Sequence, residues 1–313
     1  MRVKFWGVRG SLPTPLTPEQ VRRKIAAAVQ RVQPADLVSP EARERFLARL
    51  PAYLFGTVGG NTTCVEVALD SGDVILFDAG SGVAEFSRQL IRKPQPLREF
   101  HVLFTHFHWD HLMGIPFFTQ LYSPAYRVIF YSPVKGFERI VRDQMKHPYF
   151  PVPMDVMKSD MIFRVLEAPY LDVGSAHITW KAMKHPGGCF SYKVTEGNRS
   201  VIFATDSEIT EDDFKKMGEN RAYFSGADVL ILDAQYTLGE AIEKYDWGHT
   251  SYSMAVELAS ELDIANLVLF HHEPSYEDKK IWSIHQSAEW YRDRMSERNL
   301  RVFLAEESLE IEV

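Results

Sequence analysis

One short segment of the sequence concentrates side chains that bind metal ions. His106, His108, Asp110 and His111 fall within six residues of a chain that has 11 histidines among 313 residues. A cluster of histidines with a carboxylate is first of all a metal-binding pattern. Because one ion needs only three or four protein ligands, these four side chains, with further histidines downstream, favour two ions.

The remaining candidate ligands each follow an apolar run that predicts a strand. They are His185 after residues 178–183, Asp206 after 200–204, and His271 or His272 after 266–270. Taken singly, each has an ordinary alternative as a hydrogen-bonded turn residue or a helix cap. Taken together, they indicate that one edge of the predicted sheets gathers the ligands.

Regular elements that could position these residues recur along the chain. Short β-branched apolar runs bounded by Gly, Pro, Asn or Asp predict strands at 3–6, 63–69, 73–77, 101–104, 126–131, 178–183, 200–204, 229–232, 266–270 and 301–304. Helical spacing of apolar residues predicts helices at 82–92, 135–144, 253–262 and 283–298. Helices close each strand-rich half, which predicts two packed sheets with helices outside.

Residues 17–50 interrupt the strand pattern. Thr17-Pro-Glu-Gln and Ser39-Pro-Glu-Ala both have the composition of a capped helix start with proline in the first turn. We therefore expect one domain over 1–313 with a helical insertion at 17–50. The insertion could be a lid, an oligomer contact or a surface decoration.

Composition excludes several classes of protein. Hydrophobic residues make up 45% and charged residues 25%, as in ordinary globular proteins. No apolar run reaches the roughly 18 residues of a membrane span, and the first residues lack a signal-peptide pattern, so we expect a cytoplasmic protein without a membrane partner. Two cysteines exclude a disulfide scaffold or a cysteine-rich zinc site, and a net charge of −7 argues against an extended nucleic acid as partner.

In their order along the chain, the motifs resemble those of the metallo-β-lactamase superfamily. The resemblance covers nearly the whole chain outside 17–50, and it is strongest for the ribonuclease Z-like and small phosphodiesterase branch. It implies an α/β fold, a four-layer αββα sandwich. The motifs that carry it are HxHxDH at 106–111, HPGG at 185–188, Thr-Asp at 205–206, the strand-end His271, and the segments GVRGSLPT (7–14), GGNTTC (59–64), FDAGSG (77–82) and WGHTS (247–251).

The resemblance further implies a centre with two divalent metal ions per chain. His106, His108 and His185 would bind one ion, Asp110, His111 and His271 the other, and Asp206 would bridge them. His272 would then lie behind the ligands. Zinc is the first expectation, and manganese or iron also suit histidine and carboxylate ligands.

The mechanism expected of such a centre needs a proton donor. Two ions about 3.5–4 Å apart can hold a bridging hydroxide and clamp the attacking and leaving oxygens. His249 is the candidate donor to the leaving group, and Asp233 would orient it, as an acidic residue does in the ribonuclease Z-like branch. With the ligand Asp110, these are the predicted catalytic residues. The ordinary alternatives are a helix-start residue for His249 and a turn residue for Asp233.

We therefore expect hydrolysis of a small phosphodiester, such as a 3′,5′-cyclic nucleotide. The alternatives are tRNA 3′-end cleavage of the ribonuclease Z type, hydrolysis of a thioester or other ester, and a non-catalytic sensor. Ribonuclease Z-like enzymes carry a long arm that grips tRNA, and residues 131–178 contain no Gly-rich basic arm. Lactamases of this fold usually have a cysteine where Asp206 stands, and sensors usually lose ligands. A homodimer is the commonest assembly for such a chain.

Overall fold

Two mixed β-sheets form the frame of the computed structural model, which describes residues 1–93, 97–215, 217–295 and 300–313. Each sheet has seven strands. The first sheet contains β1 (Arg2–Gly7), β2 (Cys64–Ala68), β3 (Val74–Phe77), β4 (Glu99–Leu103), β5 (Arg127–Ser132), β6 (Asp160–Val165) and β14 (Glu310–Glu312). The second sheet contains β7 (Leu171–Val173), β8 (Ala176–Met183), β9 (Cys189–Glu196), β10 (Arg199–Ala204), β11 (Val229–Asp233), β12 (Asn266–Phe270) and β13 (Arg301–Leu304).

Each sheet has an antiparallel part and a parallel part. The first sheet has the order β14-β1-β2-β3-β4-β5-β6 and is parallel from β3 to β6. The second has the order β13-β12-β11-β10-β9-β8-β7 and is parallel from β10 to β13. Parallel neighbours need crossover connections, which helices usually supply. Their carboxyl ends consequently share one edge of each sheet.

Helices occupy the connections and the outer faces. They are α1 (Pro18–Val29), α2 (Pro40–Arg49), α3 (Ala52–Phe55), α4 (Gly82–Arg92), α5 (Trp109–Leu112), α6 (Phe137–Asp143), α7 (Glu211–Lys215), α8 (Met217–Phe224), α9 (Leu238–Glu243), α10 (Tyr252–Glu261) and α11 (Asp278–Met295). Single 3₁₀ turns lie at Pro34–Leu37, Ile115–Phe117, Thr119–Tyr122 and Met154–Val156.

The main core lies between the two sheets. Phe77 of β3 stacks on Phe203 of β10 with ring centroids 4.9 Å apart, and Phe270 of β12 meets Phe203 edge-on at 5.5 Å. Neighbouring residues on the same strands point the other way. Leu76 packs in a second cluster with α4 and α6, and Ile202 packs in a third with α8, α10 and α11. The predicted α/β sandwich with helices outside is confirmed, and burial of both faces explains why the inner strands are almost wholly apolar.

The predicted strands are all present, and the structure adds four more. The additional strands are β6, β7, β9 and β14. Three of them are edge strands, and β9 alternates buried residues with partly exposed Phe, Lys and Thr. Short or alternating strands lack the continuous apolar run on which the prediction relied. The predicted helix 283–298 begins earlier, at Asp278, and its predicted last residues, 296–298, lie outside the described part of the chain.

Residues 17–50 form helices, beginning where the sequence indicated. The Thr17 hydroxyl accepts the Gln20 N–H, and the Ser39 hydroxyl accepts the Ala42 N–H. α1 lies against α3 and buries none of its own residues. The extent of the domain and the role of this insertion stay predictions. Among the described residues, no helix combines the length and the apolar character needed to cross a bilayer.

The stack of Phe77 on Phe203 gives a stability test of the core. We expect Phe203→Ala to lower the free energy of unfolding by about 3–5 kcal/mol, because it leaves a cavity between the sheets. Urea denaturation measures the change. The matched control is Phe55→Ala, whose ring is 60% exposed, so the expected change is under about 0.5 kcal/mol. Equal losses for the two variants would contradict this location of the core.

Candidate metal centre

The candidate ligands converge at one edge of the sandwich, where strands of both sheets end. β4 leads into residues 104–111, β8 ends before His185, β10 before Asp206 and β12 before His271. The first sheet therefore supplies the HxHxDH segment and the second sheet supplies the other three ligands. The structure brings all seven predicted ligands together, and ion binding itself stays a prediction.

Residues 106–111 change from extended chain to helix within the motif. His108 has extended backbone angles and stands directly before α5, whose first turn contains Asp110 and His111. His106 and His108, two residues apart in extended chain, lie on the same side. The helical turn then directs Asp110 and His111 to a neighbouring position. One short segment can therefore serve two groups of ligands.

The first group contains His106, His108, His185 and Asp206. One ligand atom from each lies within 4.8 Å of all the others. His185 Nε2 lies 3.2 Å from His108 Nδ1, and Asp206 Oδ1 lies 3.7 Å from His106 Nε2 and 3.8 Å from His185 Nε2. His108 is exposed, so this group opens to solvent.

The second group contains Asp110, His111, Asp206 and His271, all buried. His111 Nε2 lies 3.1 Å from Asp110 Oδ2 and 3.2 Å from Asp206 Oδ2. His271 Nε2 lies 3.3 and 3.2 Å from the same two oxygens. Asp206 therefore directs Oδ1 to the first group and Oδ2 to the second, the arrangement that a bridging carboxylate requires.

His271 and His272 have different surroundings. His271 Nε2 faces the second group, whereas His272 donates from Nε2 to the carbonyl oxygen of Ala305 at 2.8 Å. Burial lowers the pKa of His272 to about 3, so its ring is neutral. His272 lies outside the ligand groups, behind His271, as the resemblance implies.

Buried nitrogen atoms without hydrogen-bond partners show that the residues present fit metal ions. Among the described residues, neither His106 Nε2 nor His111 Nε2 makes a well-directed hydrogen bond, although both are buried. Burial lowers the pKa of His106 well below its usual range, which keeps the ring neutral, as a metal ligand must be. Burial also lowers the pKa of His111, but Asp110, Asp206 and Asp78 outweigh it and raise that pKa well above the usual range. The second group is therefore strongly attractive to a cation.

Asp78 supports the second group, a role that the sequence did not reveal. Its carboxylate accepts the Thr105 N–H, the Thr105 hydroxyl and His111 Nδ1–H, each at 2.8 Å. This leaves His111 Nε2 to face Asp110 and Asp206. Hydrogen bonds of this kind fix the tautomer and orientation of a metal-binding histidine. A single Asp after a strand resembles an ordinary turn residue, and the available signal was its place in FDAGSG, one of the segments quoted for the resemblance.

His249 and Asp233 form a pair beside the second group. His249 Nδ1 lies 2.7 Å from Asp233 Oδ2, and the His249 ring stacks on that of His271 at 5.1 Å. Asp233 Oδ1 also accepts the N–H groups of Gln235 and Thr250 at 3.1 Å. Burial lowers the pKa of His249, but Asp233, with more distant carboxylates, outweighs it and raises the pKa to about 9.

A cavity of about 550 Å³ opens over the first group and His249. The exposed rings of Trp109 and Trp247 line it, and Ser11 lies at its wall, where its N–H donates to Asp110 Oδ2 at 2.8 Å. The sequence alone indicates no individual role for Trp247 or Ser11. Both belong to segments quoted for the resemblance, WGHTS and GVRGSLPT, so segment position was the available signal.

Known proteins resemble this chain in sequence and in fold. A family model described as beta-lactamase superfamily domain matches residues 74–272. Ribonuclease Z from Brevibacillus brevis is 24% identical over 272 residues, covering 67% of this chain and 79% of the relative. The solved structure of the metallo-beta-lactamase fold protein YhfI from Bacillus subtilis has a TM-score of 0.64 at 16% identity and covers 100% of this chain and 99% of that one. The short form of human tRNase Z has a TM-score of 0.59 at 17% identity, with coverage of 100% and 99%.

The position of Asp206 between the two groups gives a metal-binding test. We expect Asp206→Ala to lose both ions, because its two oxygens face different groups. Metal content per chain after dialysis, measured by inductively coupled plasma mass spectrometry, gives the result. The control is Asp246→Ala, a largely exposed carboxylate that pairs with Lys184, which should keep two ions. An Asp206→Ala protein that retains two ions per chain would exclude the bridging role.

Proposed function

The chain belongs to the beta-lactamase superfamily, and from that premise we propose that it is a two-metal hydrolase of small phosphodiesters such as 3′,5′-cyclic nucleotides. His106, His108 and His185 would hold one ion, Asp110, His111 and His271 the other, and Asp206 both. The ions would supply electrophilic stabilisation of the phosphoryl oxygens and an activated water molecule. Zinc is the first metal to test, followed by manganese and iron.

The observation that carries this proposal is the pair formed by His249 and Asp233. The oxygen that leaves a phosphodiester departs as an alkoxide and needs a proton. Asp233 holds Nδ1 of His249, which leaves Nε2 as the nitrogen available to a substrate in the cavity that His249 lines. The Asp233 carboxylate favours the protonated form of the His249 ring, which the donor role requires. A thioester releases a much weaker base and has less need of this donor.

The charges around the cavity support a small substrate. Among the described residues, neither lysine nor arginine lines the cavity. The nearby Lys184 pairs with Glu208 at 2.9 Å and with Asp246 at 2.7 Å. An RNA chain needs many contacts between basic residues and phosphates. In addition, the regular structure of the described residues 131–178 is limited to the end of β5, α6, a 3₁₀ turn, the edge strands β6 and β7 and the start of β8.

The second candidate is tRNA 3′-end cleavage. It is favoured by sequence similarity, because the curated relative from Brevibacillus brevis is a ribonuclease Z. The same ligands and the same proton donor would serve an RNA phosphodiester. Hydrolysis of another ester and a sensor role remain further alternatives, and the homodimer and cytoplasmic location remain proposals.

A direct assay separates the candidates. Metal-loaded protein is incubated with 3′,5′-cyclic nucleotides and, in parallel, with a precursor tRNA, and His106→Ala serves as the blank. We expect cyclic nucleotide turnover without tRNA cleavage. Specific cleavage at the tRNA 3′ end would favour the second candidate. If neither substrate is hydrolysed, both candidate functions would be rejected, and thioesters and other esters would be tested next.

The proton donor gives a second test. We expect His249→Ala to lower kcat about 10²–10⁴-fold while two ions per chain remain bound, because His249 is not among the seven ligands. Steady-state kinetics and metal content measure the two effects. His177→Ala, an exposed histidine paired with Asp172 on β7, is the matched control and should leave kcat unchanged. An unchanged kcat in His249→Ala would remove this residue from the mechanism.

A further inference from the structure

An open groove of about 650 Å³ lies beside the metal cavity and presents aromatic rings to solvent. We call it the aromatic groove. Its most exposed rings are those of Trp109, Phe117 and Tyr149, which are 78%, 57% and 80% exposed. Ile140 and Gln144 form part of its wall. Single exposed apolar residues are normal on a protein surface, but three rings from separate segments of the chain here face one concave site.

The aromatic groove is continuous with the metal cavity. Phe107 and Trp109 line both of them. These residues alternate with His106, His108 and Asp110, so the segment that supplies metal ligands to one side supplies rings to the other. A substrate whose phosphodiester lies at the metal centre can therefore extend its remaining part into the groove.

The residues that line the groove indicate which chemical group of the substrate would bind there. Among its described lining residues, Asp143 alone is charged, and it pairs with Lys146 and Arg139. An additional phosphate or carboxylate would find no cation there. A flat uncharged ring, in contrast, can stack on exposed aromatic faces, as bases do on proteins that bind single-stranded nucleic acids.

Gln144 favours a ligand that can accept a hydrogen bond. Its Nε2 is buried and has no acceptor among the described residues, and an unmatched buried donor carries a free-energy cost. If the amide shifts towards the groove, a ligand that offers a ring nitrogen or a carbonyl oxygen would remove this cost. A nucleobase has both features, a stacking face and acceptors on its edge. A purely aliphatic chain has neither.

From these observations we propose that the aromatic groove binds the nucleobase of the substrate, with Tyr149 stacking on the base and Gln144 donating to its edge. This proposal rests on the proposed function, because it assigns the base of a nucleotide whose phosphodiester is cleaved at the metal centre. The groove therefore restricts the substrates to nucleotides and distinguishes them from phosphodiesters without a base.

A kinetic comparison tests the groove against a substrate without a base. For Tyr149→Ala we expect kcat/KM for 3′,5′-cyclic AMP to fall about 5- to 150-fold, mainly through KM, the range expected for loss of one base–aromatic stack. Hydrolysis of ribose 3′,5′-cyclic phosphate, which keeps the phosphodiester and has no ring that could stack in the groove, should be unchanged. Tyr149→Phe keeps the ring and should retain activity, and Tyr170→Ala, an exposed tyrosine near β7, is the matched control. An equal loss on both substrates would overturn the proposal.

A binding measurement separates failure of this proposal from failure of the proposed function. Adenosine, which has no phosphate, is titrated by calorimetry into wild-type protein, Tyr149→Ala and Gln144→Leu, with ribose as the blank. We expect adenosine to bind wild type and to bind both variants more weakly. Binding without cyclic AMP turnover would keep the base site and reject the phosphodiesterase. Cyclic AMP turnover without adenosine binding would reject the base site and keep the phosphodiesterase, and absence of both would reject both.

Discussion

The burial of four carboxylates at one edge of the sandwich is the constraint on which the site depends. Asp78, Asp110, Asp206 and Asp233 are all nearly inaccessible to solvent. Within the described residues, the ion pairs that they form come from histidines and not from lysine or arginine. A buried carboxylate costs several kcal/mol unless a positive partner compensates it. Protonated histidines compensate the negative charge of these carboxylates in part, and divalent cations can compensate it fully. Bound cations would therefore stabilise this edge of the sandwich.

Three residues of the site have backbone conformations that are unfavourable in free energy. Asp78, Asp206 and His271 all follow closely on a strand end, and all three have left-handed backbone angles, with φ of 59°, 51° and 63°. Such conformations cost about 1–3 kcal/mol each in residues other than glycine and persist only where the surroundings enforce them. Phe77, Phe203 and Phe270, which pack together between the sheets, lie one to three residues before these positions. The packed core therefore holds the strand ends from which Asp78, Asp206 and His271 extend.

Sequence reasoning predicted most strands from their apolar runs, and it missed β9 and the edge strands β6, β7 and β14. Residue types after strand ends indicated the candidate ligands, and the family resemblance selected the seven that converge in the structure. Spacing alone did not separate His271 from His272, since backbone rotation at His271 decides which ring faces the centre. The aromatic groove was accessible only in part: Trp109 and Phe117 lie within and just after the metal segment and can be suspected of lining a pocket, whereas Tyr149 joins them only through the tertiary fold.

Because the candidate ligands come from both sheets, metal binding would affect the stability of the whole fold. Ions held by residues 106–111 of one sheet and by His185, Asp206 and His271 of the other would act as cross-links between distant parts of the chain. Binding to the folded state alone adds about 2.7 kcal/mol of stability when the free ion is at 100 times its dissociation constant. Resistance to proteolysis, and with it the amount of protein in a cell, would then rise and fall with the supply of metal.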